Sequence, residues 1–96
     1  RSIPMDVPIP PGTFYRIQLA VYSAEVETGT FKGITPITGE RLPDRGLVKY
    51  YAGKFSRYSD ASSALARIQS RGFKDAFIVA WYNGKPITTH RAKQLE

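Results

Sequence analysis

The strongest constraint on this chain is a period of two across Phe14–Tyr22, FYRIQLAVY. Tyr15, Ile17, Leu19 and Val21 alternate there with Arg16, Gln18, Ala20 and Tyr22. Successive side chains of a strand point to opposite faces, so the alternation predicts a half-buried β-strand with the aliphatic set inward. Leu47–Phe55, LVKYYAGKF, predicts a second strand. Val48, Tyr50 and Ala52 fall on one of its faces, and Lys49, Tyr51 and Gly53 on the other. Gly53, near the strand's end, signals a bulge or a close backbone approach.

Strands with one apolar face need a covering layer. Ser59–Arg71 predicts a helix, with Ser59 as cap, Asp60 at its positive end and an apolar stripe of Ala61, Ala64, Leu65 and Ile68. Gly72 stops it. Ala76–Tyr82 predicts an apolar strand, and Asn83-Gly84 a tight hairpin into an edge strand over Lys85–Thr89, confined to the edge by Pro86. These elements predict the α+β class.

The remaining segments carry weaker signals. Glu25–Lys32 has at most one helical turn, Ile34–Leu42 a short strand interrupted by Pro36 and Gly39, and Pro43–Gly46 a turn. Four of the seven prolines fall within residues 1–12. That arm is expected to be an extended, semi-rigid linker. The expected division is therefore a linker over 1–12, a domain over 13–89 and a frayed tail over 90–96. A start at Arg1 suggests a piece of a longer protein.

Composition excludes more than it selects. With 96 residues, there is room for one modest core and no cleft between domains. The absence of cysteine removes disulfides, thiol nucleophiles and Cys-based zinc sites. A net charge of +6 suits anionic partners such as nucleic acid, anionic lipid or acidic wall polymer, although the charges form no run. No stretch of about 18 apolar residues is present to span a membrane.

Catalytic groups are sparse. His90 is the only histidine and lies in the expected tail, so no triad has a placed base. Glu25 and Glu27 have no visible cause for divergent pKa values. No phosphate-binding glycine loop occurs. No enzyme, cofactor or metal site is expected. What remains is the outward set of the two strands: Arg16, Gln18 and Tyr22 on the first, Lys49 and Tyr51 on the second. Aromatic rings beside cations and a planar amide suit ring-shaped ligands, either bases or sugars. Aromatic residues also favour strands without any ligand.

The stretch Tyr15–Ser23 resembles the opening strand of the SPOR domain, a bacterial wall-binding module, whose loose pattern is aromatic-x-Val-Gln-x-Gly-x-Phe-Ser. Leu47–Phe55 with Tyr58–Leu65 is similar to its middle strand and second helix. Gly72–Val79 is similar to its closing loop and last strand. The likeness spans 14–79 and is nearest to the SPOR-like domains of Bacteroidetes envelope proteins. The sequence departs from the pattern at Val21, at Lys54 in place of proline, and in the Gly- and Thr-rich segment where the family has its first helix.

The resemblance implies a ferredoxin-like, four-stranded antiparallel sheet with helices on one face, here with a short or irregular first helix and an extra C-terminal edge strand. It implies binding of peptidoglycan glycan strands lacking stem peptides, in the periplasm or cell envelope and often at division sites. Gln18 matches the family's glycan-binding glutamine, Lys49 its middle-strand basic residue and Phe77 its bulky residue entering the last strand. That match puts Phe77, Val79 and Trp81 on the open face, with Ala76, Ile78 and Ala80 inward. The expected glycan site is thus Arg16, Gln18, Tyr22, Lys49, Tyr51, Phe77 and Trp81. Two other readings stay open. One is a module docking onto envelope or divisome proteins through the edge strand; the other, less favoured, is a single-stranded RNA binder.

Overall fold

The computed structural model describes residues 2–96. Its central element is a five-stranded sheet built from β1 (Thr13–Tyr22), β2 (Ile37–Leu42), β3 (Leu47–Phe55), β4 (Phe77–Tyr82) and β5 (Lys85–Ile87). The order is β2-β3-β1-β4-β5, and neighbouring strands are antiparallel. Helix α1 (Tyr58–Ser70) carries the chain from β3 to β4, and a short helix α2 (Thr89–Gln94) follows β5. The predicted α+β class and the C-terminal edge strand are both present.

The two helices cover the same face of the sheet. Ala64 and Ile68 of α1 pack with Ile17, Leu19, Val48, Tyr50 and Ala52. Ala61 of α1 and Ala92 of α2 enclose Tyr15 and Ala80. Between β1 and β2 the connection forms only a 3-10 turn, Thr28–Phe31. Phe31 from that turn is fully buried against Tyr50, 5.2 Å between ring centres. One aromatic side chain thus does the covering that a helix would otherwise do.

Two irregularities adjust the alternation of β1 and β3. Tyr15 pairs with Phe55 and Ile17 with Ala52, which leaves one extra residue on β3 at Gly53–Lys54. Gly53 has φ +84°, and a Cβ there would lie 2.1 Å from the Phe55 ring. The glycine bulge signalled by the sequence is present. The second irregularity was not signalled. Gln18 pairs with Tyr51 but Ala20 with Tyr50, so Leu19 is an extra residue on β1. A bulge of this kind turns every following side chain over. Val21 consequently faces solvent at 41% exposure, and Tyr22 joins the core.

Both termini depart from expectation. Residues 2–12 are not a free linker. Ile3 belongs to the main core at 6% exposure, and Met5 bridges Gly39 of β2. Gly39 N donates to Pro4 O at 2.9 Å, and Asp6 N to Gly39 O at 2.8 Å. The arm therefore runs along the outer edge of β2, leaving less of that edge unpaired. Residues 90–96 are not a frayed tail either, since most of them belong to α2. Thr88 caps the helix by accepting from Arg91 N at 3.1 Å, and Ala92 is fully buried. A six-residue helix is marginal on propensity alone, so this tertiary contact is what holds it.

Candidate functional site

The sheet face opposite the helices carries its own small cluster. Phe14, Tyr51 and Trp81 pack together there, flanked by Ile9 of the arm and Val79. Tyr51 and Trp81 meet edge to face with ring centres 5.6 Å apart. Phe77 pairs with Gln18, and Val79 with Arg16, across β1 and β4. The expected face of β4 is observed: Phe77, Val79 and Trp81 point away from the helices, while Ala76, Ile78 and Ala80 pack toward them.

Of the seven expected residues, six share this face. The exception is Tyr22, which the Leu19 bulge turns to the helix side, against Phe31 and Tyr50. It is removed from the candidate site. Val21 takes the outward position in its place, paired with Lys49.

The six are not equally available. Tyr51 and Trp81 are 3% and 7% exposed, so neither offers a free ring face. Arg16 was expected on a wet surface but is 5% exposed. Its guanidinium carbon lies 4.0 Å from the Tyr51 ring centre and 4.4 Å from that of Trp81. A desolvated cation over an aromatic face gains about 2 kcal/mol, which offsets part of the burial cost. Arg16 Nη1 also donates to Thr38 Oγ1 of β2 at 3.0 Å. Burial pulls the guanidinium below its ordinary pKa, while Tyr51 and Glu40 oppose that shift. Tyr51 donates its phenol to Glu40 at 2.7 Å, and burial followed by that bond raises its pKa.

Phe77 is the open aromatic, at 50% exposure. Gln18, its cross-strand partner, lines a depression of about 390 Å³ together with Glu40, Lys49, Tyr51 and Trp81. Its polar groups are an amide, an ammonium, a carboxylate and a phenol, and Leu42, Val79 and Trp81 add apolar lining. Such a surface can hydrogen-bond hydroxyls and amides, while the exposed Phe77 ring can pack against the C–H face of a ring-shaped ligand. It contains no nucleophile–base pair. Among the described residues no cluster of metal-ligating side chains occurs, and no helix is long and apolar enough to cross a membrane. His90 lies on α2 beside Gln94, on the helix side of the fold.

Sequence reasoning missed Phe14, Thr38, Glu40 and Ile9 on this face. Phe14 was within reach, since it continues the outward series of Arg16 and Gln18. Thr38 and Glu40 depend on the register of β2, which a segment broken by Pro36 and Gly39 does not announce. No protein-family model matches the chain, and no curated protein or solved structure matches it either.

Proposed function

We propose that this chain is a non-catalytic binding module for peptidoglycan, recognising glycan strands that lack stem peptides through the open face of its sheet. The observation that carries the reading is the depression lined by Gln18, Lys49, Tyr51 and Trp81, with the exposed Phe77 paired to Gln18 across the strands. Gln18 offers an amide to sugar hydroxyls and acetamido groups. Lys49 attracts the lactyl carboxylates of denuded muramic acid, and Phe77 packs against a ring face. The strand order β2-β3-β1-β4, with α1 between β3 and β4, is compatible with the ferredoxin-like arrangement of SPOR domains. Periplasmic or envelope location belongs to the same proposal. The docking reading is less well supported, because β5 is three residues long with Pro86 in its middle and offers little ladder to an added strand.

Sedimentation with amidase-treated and untreated sacculi tests this function. Enrichment on the treated wall is expected, and Gln18→Ala should reduce it while leaving the melting temperature unchanged. Equal recovery on both walls would sink the denuded-glycan assignment.

A further inference from the structure

Arg16 has a donor that the fold does not use. Its Nε is buried and has no hydrogen-bond partner. Thr38 takes Nη1, and among the described residues no carboxylate forms an ion pair with this guanidinium. Glu40, the acid whose charge acts on it, is engaged by the Tyr51 phenol. The aromatic rings do not substitute for an acceptor. They attract the cation through its flat face, whereas the N–H groups of a guanidinium point outward in its plane. Buried donors are nearly always satisfied, so an orphaned one in a charged group calls for a partner.

Arg16 also lines a cavity of about 370 Å³. Arg16, Thr38 and Lys54 supply its polar lining, and Val7, Pro8 and Pro10 of the arm lie over it. The arm is pinned on both sides of that span. On one side Asp6 accepts from Arg41 N and Nη1, each at 2.9 Å. On the other, Gly12 N donates to Asn83 Oδ1 at 2.8 Å and Asn83 N donates to Gly12 O at 3.1 Å. Three of the five residues between the pins are prolines, which have no N–H to bond to the sheet. The span is a strap with its ends fixed and its middle resting on Ile9.

We infer that Arg16, Thr38 and Lys54 form a second ligand site beneath the strap, and that it takes a carboxylate. A carboxylate brings two in-plane acceptors to the free Nε edge of the guanidinium. Lys54, which is exposed, adds a second positive charge at the rim. The apolar lining from Phe14, Val7 and the prolines suits the carbon body that bears the acid group. The site lies on the Thr38 and Lys54 side of the Tyr51–Trp81 pair. It does not rest on the glycan reading.

The Arg16 Nε–Hε cross-peak in a ¹⁵N-correlated spectrum of the full chain tests the site directly. Titration with sodium acetate should move that peak saturably at on the order of 10 mM, the affinity expected of a single charge-assisted contact by a fragment. Sodium chloride at matched ionic strength should not reproduce the shift. Lys54→Ala, at an exposed position, should weaken acetate binding by about threefold, the effect of losing one partly screened charge. Lys85→Ala, on β5, should leave it unchanged. A peak that stays still with acetate overturns the inference, as does the same shift with chloride. A response to inorganic phosphate but not to acetate overturns the carboxylate class. Because the probe is acetate and not wall glycan, failure here and failure of sacculus binding are separate results.

Discussion

The Glu96 carboxylate accepts a hydrogen bond from the Tyr15 phenol, tying the segment after α2 to the middle of the core. The same oxygen, Oε2, accepts from Tyr58 N at 2.7 Å. Helix α1 has no side-chain cap from its own N-cap residue, Arg57, so a carboxylate from the far end of the chain satisfies one of its free N–H groups. The Tyr15 bond, then the Tyr58 bond, hold the Glu96 carboxyl below its ordinary pKa. Burial, then the Glu96 bond, raise the Tyr15 phenol. A depressed acid contributes stability that is present above its ordinary value of 4.5 and is lost as pH falls. A raised phenol contributes stability that is present below its ordinary value of 10.0 and is lost as pH rises past it. Tyr15→Phe should cost about 1–2 kcal/mol by chemical denaturation at neutral pH, and should flatten the acid limb of a stability–pH profile. In a double-mutant cycle, Glu96→Ala should add little to Tyr15→Phe beyond the loss of the α1 cap. Full additivity of the two would mean that the bond contributes nothing.

The bulge at Leu19 predicts an inversion of mutational sensitivity. Simple alternation makes Val21 a core residue and Tyr22 a surface one. With Leu19 as an extra residue, Tyr22→Ala removes a ring packed against Phe31 and Tyr50 and should cost about 3 kcal/mol. Val21→Thr, at the exposed position, should change stability by less than about 0.5 kcal/mol. Urea titration of the two variants checks the register, and the reverse ranking would refute it.

The contrast between Gly53 and Leu19 explains how much of the fold was legible. Gly53 announces its bulge because only glycine accepts φ +84° so close to the Phe55 ring. Leu19 and Ala20 both point to the core with ordinary side chains, so nothing in their identity marks the extra residue. The strands β1 and β3, α1 and the β4–β5 hairpin were readable because each has a sequence pattern with a stop signal. The arm and α2 were not. Prolines and a short polar helix read as a linker and a tail until Ile3 and Ala92 are seen in the core. The candidate face was legible as a set of residues but not as an environment. Whether Arg16 and Tyr51 are wet or stacked depends on Trp81, Thr38 and Ile9, which come from separate elements.

The arm's place in the core makes Ile3 a sensitive position. If residues 2–12 were a tether, Ile3→Ala would leave the domain unaffected. Because Ile3 packs in the main cluster, the substitution should cost about 2 kcal/mol and lower the thermal midpoint. Arg41→Ala should act through the arm instead. It removes the Nη1 bond to Asp6 and the 2.8 Å pair with Glu25, both at exposed positions. The substitution removes only the side-chain bonds; the backbone bond from residue 41 to Asp6 stays. Its expected signature is faster amide exchange at Met5 and Asp6 with little change in global stability. Unchanged exchange at both amides would mean that Arg41 does not hold the arm.

Phe77 and Trp81 share one face but should separate under mutation. Trp81 is buried between Tyr51, Phe14 and the Arg16 guanidinium, so Trp81→Ala opens a cavity and should cost about 3–5 kcal/mol. Loss of ligand binding in that variant would follow from loss of structure. Phe77 is half exposed and joins no buried cluster, so Phe77→Ala should change stability by less than about 1 kcal/mol. Its expected effect lies in sacculus binding, where removal of a stacking ring should weaken retention by about fivefold to tenfold, the size of one aromatic contact. Thermal melting and sedimentation on the same two proteins separate these effects. If Phe77→Ala binds as the parent chain does, the exposed ring is not part of the glycan surface, and recognition falls to Gln18 and Lys49.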